Sequence, residues 1–186
     1  MTTSETRGDL VLWRCHLALV DSVPLIWRQI VIDAAVDLAA LHAIAQAAMG
    51  WHNRHPYRFR RRGVLADLNP STPLLRLGLH PQDALIYTYD FHSGWVHCLT
   101  LEAIATEADL ASTPVPQCLA GEGACPPEDC GGVWGYEELL ERLSDPDDPE
   151  YTVLCDRIGW NFDPDAFDLQ AANQRLQTLP MLSLES

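Results

Sequence analysis

Three cysteines, Cys118, Cys125 and Cys130, fall within thirteen residues of the segment PQCLAGEGACPPEDCGGVWGYEELL, set among Gly and Pro ahead of a helix. So short a run of apolar side chains cannot bury a face of its own, and a bound ion is one means of fixing its shape. Zinc takes four tetrahedral ligands and favours thiolate in structural sites. The gaps here are six and four residues rather than a two-residue knuckle, and a fourth ligand must come from elsewhere. His97 is the first candidate, Cys98 the second and His55 the third. His97 and Cys98 are neighbours on a strand and point to opposite faces, so only one of them can serve. The expected set is Cys118, Cys125, Cys130 and His97 around a structural zinc. The rival reading makes the three thiols ordinary buried small side chains.

Other residues invite other chemistry. Cys130 precedes Gly131, Gly132 and a helix start, which lowers a thiol pKa, while Glu128 and Asp129 oppose that effect. The glycine pair offers either an anion-binding backbone or, the simpler reading, positive-φ turns that fold the segment back on itself. Asp90 in TYDF is either a general base or metal ligand, or a strand-end carboxylate accepting backbone hydrogen bonds at the next turn. With His55 and His97 it makes the candidate cleft of an enzyme of hydrolase type. Arg58, Arg60 and Arg62 make one face of a strand, readable as a phosphate patch or as a solvated face.

Charge and composition limit the choices. The net charge is −14, with 17 acidic residues against two arginines between Glu102 and Asp168. That balance disfavours nucleic acid and anionic membrane, and it suits a basic protein partner. There is no lysine and no run of 18 apolar residues. The polar start MTTSETRGDL lacks the regions of a signal peptide, so a cytoplasmic location with reduced thiols is expected. At 186 residues and 47% hydrophobic content, one domain over residues 1–186 has enough chain for a sizeable core.

The elements that must position these groups are legible in outline. Leu10 to Val20 alternates like a strand, and PLIWRQIVI pairs with it in a hairpin turning near Asp21 and Ser22. From Asp37 the period becomes helical, with Asp37 as N-cap and Gly50 as stop. His55 to Arg62 reads as a strand, with His55, Tyr57 and Phe59 on one side. Residues 63–83 form a loop with a short element near Leu74–Leu79. Leu85–Tyr89 and Trp95–Leu101 flank a turn at His92, Ser93 and Gly94. The Cys segment is expected as a loop, followed by short helices near Tyr136–Leu143 and Glu150–Arg157. Asp163 and Pro164 are expected to start a last helix reaching Leu179.

The stretches PLIWRQIVI, LAALHAIAQAAMGWHNRHPYRF, YTYDFHSGWVHCLTLE, CLAGEGACPPEDCGGVWGYEELLERLSDPDDPEY and FDPDAFD resemble, in order, the plasmid pRiA4b ORF-3-like proteins of bacteria and archaea. The resemblance implies a compact α+β domain with an antiparallel sheet, and it matches His97 and the Cys segment to family positions. Two departures stand out. His92-Ser93 replaces a Gly-Asp turn, and Tyr57 stands where the family has a second His two residues after His55.

The fold expected is therefore α+β: an antiparallel, partly barrel-like sheet covered by several helices, with a Cys-rich loop. The function expected is a cytoplasmic binding or interaction module with a structural zinc site. The alternatives are the enzyme with a cleft around His55, Asp90 and His97, and a nucleic-acid-associated protein of mobile elements.

Overall fold

The computed structural model describes residues 11–106 and 114–180. The polar N-terminal segment and Leu10, the expected start of the first strand, lie outside the described residues.

Strand β1 (Val11–Leu19) buries Trp13, Cys15, Leu17 and Leu19 and leaves Arg14 exposed, as its alternation predicts. It pairs antiparallel with β2 (Trp27–Asp33), Cys15 opposite Ile30. Between them Asp21 takes a left-handed backbone, and the Ser22 hydroxyl closes the turn, donating to the Leu19 carbonyl and accepting from the Ile26 N–H. Helix α1 (Leu38–Met49) starts where Asp37 accepts a hydrogen bond from the Ala40 N–H at 2.8 Å. It stops at Gly50, whose φ of 112° few other residues adopt. Strands β3 (Tyr57–Arg61), β4 (Ala84–Tyr89), β5 (Trp95–Thr106) and β6 (Gln117–Glu122) complete a six-stranded antiparallel sheet. A short 3₁₀ turn, Leu74–Leu77, interrupts the long loop before β4. Three further helices follow: α2 (Gly132–Leu143), α3 (Tyr151–Ile158) and α4 (Leu169–Gln177).

The sheet order is β3-β4-β5-β1-β2-β6, an antiparallel sheet that does not close into a barrel and has β3 and β6 as its edge strands. The expected Cys loop is corrected in part. Its first third is strand β6, paired with β2 from Trp27↔Glu122 to Val31↔Gln117, which makes Cys118 a strand residue. Helix α2 starts at Gly132, ahead of the expected Tyr136. Helix α4 starts at Leu169 rather than at Asp163: Asp163 closes a turn by accepting from the Asp165 N–H, and Asp168 caps the helix.

Ten of the twelve residues of α1 are buried, which is the signature of a helix covered on more than one side. The sheet lies on one flank and α4, itself against β6, on another. Arg28 runs through this layer fully buried. It donates to the carbonyls of Trp27, Ala48, Glu122 and Gly123 at 2.7 to 3.2 Å, and its guanidinium lies 4.2 Å from the centre of the Phe167 ring. No carboxylate faces it among the described residues, and burial pushes its pKa down to about 10.

Candidate active site

Trp51 to Arg54, in the turn between α1 and β3, are held by the segment 126–130, by α1 and by the end of β4. The Trp51 indole N–H donates to the Pro126 carbonyl at 2.9 Å. His52 Nδ1 is 2.8 Å from Glu128 Oε2. Asn53 Oδ1 lies 2.5 Å from His42 Nε2, and its N–H donates to Gln46 Oε1. The Arg54 N–H donates to the Tyr89 hydroxyl, which in turn donates to Glu128 Oε1 at 2.6 Å. His55 follows, ringed by Tyr89, Asp90 and Asp129. An apolar strand end, a helix end and the segment 126–130 thus meet at one corner of the sheet.

At that corner His55 Nε2 is 3.1 Å from Asp129 Oδ1, and His55 Nδ1 is 4.0 Å from Asp90 Oδ1. One ligand atom from each of the three residues lies within 4.8 Å of the others. Among the described residues it is the one group of three His, Cys, Asp or Glu side chains gathered so closely. The side chains differ in exposure: Asp90 5%, His55 27% and Asp129 61%. The floor is therefore dry and the Asp129 side is wet. His55 Nε2 is itself buried and makes no hydrogen bond of good geometry, so the nitrogen is available to a ligand.

Asp90 is a strand-end carboxylate that closes the following turn and also faces His55. Its backbone is left-handed (φ 53°), a conformation Asp tolerates, and the turn is closed by the Gly94 N–H on its carbonyl at 2.6 Å. Its carboxylate accepts the His92 N–H at 3.1 Å while facing His55. Burial alone would raise its pKa. Hydrogen bonds from the Ser93 side chain and from the backbone of His92 and Ser93, with nearby His55, outweigh burial and hold it below the usual range. Glu128 follows the same pattern. Burial opposes ionisation, but the bonds from Tyr89 and His52 prevail and its pKa is lowered. Burial, then the bond to Glu128, pushes Tyr89 up to about 12.

The glycines after Cys130 let the segment close on this corner. A Cβ at Gly132 (φ 76°) would stand 2.1 Å from the Ser93 carbonyl oxygen, and one at Gly135 would stand 1.9 Å from that of Cys130. The turn after Asp90 and the start of α2 therefore touch backbone to backbone.

The residues expected to hold zinc are not brought together in this way. Cys118 faces inward from β6, with its Sγ against the Ala120 carbonyl. Cys125 packs beside Gly50, and Cys130 lies at the start of α2 with its Sγ turned to the Gly132 carbonyl. Burial holds all three as thiols: Cys118 is raised, Cys125 reaches about 12, and Cys130 reaches about 11 despite nearby Arg157. At Cys130, burial, with Asp129 beside it, outweighs the lowering that a helix start gives a thiol. His97 is fully buried between Trp51, edge-on at 5.2 Å, and Tyr87, also at 5.2 Å. Trp51 thus separates it from the corner where His55 and Asp90 meet. Cys98 points to the other side of β5, within 3.7 Å of the Thr100 hydroxyl. Of the expected cleft, His55 and Asp90 come together and His97 does not.

Of the expected arginine face, Arg60 pairs with Asp67 at 2.5 Å and Arg58 lies 4.9 Å from the centre of the Phe91 ring, while Arg62 is exposed beyond the end of β3. Arg61, their neighbour, donates to the Leu77 carbonyl.

Three members of the corner escaped the sequence reading as site residues: Glu128, Asp129 and His52. The only signal was an acidic pair inside a Gly- and Pro-rich stretch, which by itself has no partner to point to.

A model of the plasmid pRiA4b ORF-3-like protein family matches residues 12–171, spanning every strand and helix that builds this corner. The chain belongs to that family. A relative, the uncharacterized protein y4hQ of Sinorhizobium fredii (strain NBRC 101917 / NGR234), is 35% identical over 180 residues, covering 86% of this chain and 85% of that one. The crystal structure of MM3350 from Methanosarcina mazei Go1, a protein of unknown function, is similar with a TM-score of 0.80 at 31% identity. The match covers 88% of this chain and 98% of that one. The Tyr57 ring stacks on His42, centroids 3.6 Å apart.

Proposed function

We propose that this protein binds a divalent metal ion at His55, Asp90 and Asp129 and uses it in hydrolase-like chemistry. The observation that carries this reading is the meeting of one imidazole nitrogen and two carboxylate oxygens within 4.8 Å, on three separate segments. Three protein ligands leave positions for water and substrate, as catalytic rather than structural metal sites do. Water on such an ion is a nucleophile near neutral pH. One nitrogen and two oxygens suit Zn²⁺ or Mn²⁺. A cavity of about 190 Å³ between α2 and α3 has Asp129 and Cys130 in its wall, with Glu138, Arg142 and Arg157, and gives a small substrate room beside the centre. The six free cysteines suit the reducing cytoplasm, where we place the protein.

Calorimetric titration of the metal-stripped protein with Zn²⁺ and with Mn²⁺ tests the site. We expect about one equivalent bound, lost in His55→Ala and Asp90→Asn and kept when Cys118, Cys125 and Cys130 are all changed to Ser. The reverse pattern, binding lost with the thiols and kept without His55, would move the ion to the cysteines and end this proposal. Metal-dependent turnover of nitrophenyl ester or phosphodiester probes then tests the hydrolytic step.

A second reading, a binding module for a basic partner, has its own support. Trp134, Val153 and Trp160 are 78%, 65% and 59% exposed on the helical side, where carboxylates far outnumber arginines.

A further inference from the structure

Behind the turn that carries His55 lies a buried polar unit with each donor and acceptor assigned. Gln46 Oε1 accepts the Asn53 N–H at 3.0 Å, so its amide nitrogen faces the Tyr87 hydroxyl and donates to it at 2.9 Å. The hydroxyl's single proton then goes to His42 Nδ1, 2.7 Å away. That leaves the imidazole proton on Nε2, where it donates to Asn53 Oδ1 at 2.5 Å. Tyr87, His42 and Gln46 are all buried, and the Tyr57 ring covers the imidazole at an interplanar angle of 8°. Asn53 sits in the left-handed region (φ 54°), two residues before His55, and is itself exposed.

The unit links α1, through His42 and Gln46, to β4, through Tyr87, and among the described residues it reaches the surface through Asn53. A core of this kind could have been built from apolar residues at less desolvation cost. What apolar residues could not do is grip the backbone and side chain of one loop residue at a set angle. Within the loop WHNRHP, Trp51, His52 and Arg54 have contacts of their own, and it is Asn53, the left-handed residue before His55, that this unit holds.

We infer that His42 is a positioning residue for the centre: acting through Asn53, it fixes the turn so that the His55 ring faces both Asp90 and Asp129. This rests on the metal reading above. Groups that orient metal ligands typically change affinity by about 10–100-fold when removed, without being ligands themselves.

The test compares four proteins, wild type, His42→Phe, Asn53→Ala and Asn53→Asp, by Zn²⁺ titration, melting temperature and amide hydrogen exchange. Asn53→Asp keeps an oxygen acceptor and tolerates the left-handed backbone, so it is the rescue variant. We expect Asn53→Ala and His42→Phe to weaken Zn²⁺ binding at least about tenfold, and Asn53→Asp to bind like wild type. Ala at this left-handed position, with His42 Nε2 left without its acceptor, should lower the melting temperature. A fifth protein, Asn53→Gly, which takes that backbone without strain, is therefore measured beside it: weakened Zn²⁺ binding in folded Asn53→Gly separates positioning from loss of fold even where His42→Phe folds poorly. Wild-type Zn²⁺ affinity in Asn53→Ala would overturn the inference. Should wild type bind no metal at all, the metal reading fails, and exchange at residues 52–55 decides the rest. Unchanged protection of those amides in Asn53→Ala would then sink the positioning role too.

Discussion

Both ring nitrogens of His97 lack hydrogen-bond partners inside a fully buried slot between Trp51 and Tyr87. Burial drives its pKa down to about 3, so the ring is neutral in the folded protein across the ordinary pH range. In the unfolded chain a histidine takes up its proton near pH 6.5. Stability from this residue is therefore complete above about pH 6.5 and is lost as pH falls toward 3, at up to about 1.4 kcal/mol per unit. Urea denaturation at pH 6.5 and 4.5 should show a drop of about 2–3 kcal/mol with His97 as the main source. Phe would fill the same slot without a titrating group, so His97→Phe should lose most of that drop while matching wild type near pH 7. An equal drop in the variant would mean that other groups carry the acid sensitivity.

Among the elements, α1 organises the molecule, and Arg28 ties its C-terminal end to the far edge of the sheet. Four carbonyls on three segments depend on that one guanidinium. Arg175 adds a second grip, its Nε donating to the Ala47 carbonyl at 2.8 Å from α4. Cations are favourable at a helix C-terminus because the last carbonyls are otherwise unpaired. Removing Arg28 leaves buried acceptors unsatisfied and opens a cavity beside Phe167 and Gly121. Arg28→Ala should therefore cost roughly 2–4 kcal/mol in unfolding free energy, measured by urea denaturation. Arg28→Lys should recover only a part, since one ammonium cannot reach carbonyls in so many directions. A change below about 1 kcal/mol for the alanine variant would mean that β6 and α4 hold without it.

For the molecule as a whole, charge decides which partners can approach. Residues 114–180 hold 14 carboxylates against Arg142, Arg157 and Arg175, and Arg142 is already paired with Asp148 and Glu150. On the opposite edge Arg60 and Arg61 are spent on internal contacts. Duplex DNA should bind no more tightly than about 10 µM in 0.15 M salt. An arginine- and leucine-rich amphipathic peptide should bind measurably and weaken as salt rises, and Trp134→Ala should reduce that binding. Sub-micromolar DNA binding with a steep salt slope, or peptide binding indifferent to Trp134, would reverse this assignment of surfaces.

Helix α1 could be read from Asp37, Gly50 and the spacing of Leu38, Leu41, Ile44 and Ala48, because caps and apolar period are local properties. The hairpin of β1 and β2 and the turn after Asp90 were legible for the same reason, as was the family to which the chain belongs. Strand β6 was not: Cys118 to Gly121 becomes a strand only because the edge of β2 offers it unpaired backbone groups. The start of α4 moved from Asp163 to Asp168 because the Pro164 carbonyl is engaged by the Ala124 N–H. The candidate centre divides along the same line. His55 and Asp90 were identifiable as residue types able to do chemistry, flanking strands already recognised. Their meeting with Asp129, 39 residues beyond Asp90, needed the tight approach of Gly132 to Ser93. His97 is a candidate by its type, its strand and its resemblance to a family position, and only its full burial between Trp51 and Tyr87 shows that it belongs to the core. Spacing along a chain records which residues can form a local element, whereas a three-segment site is a product of tertiary contacts that no local period encodes.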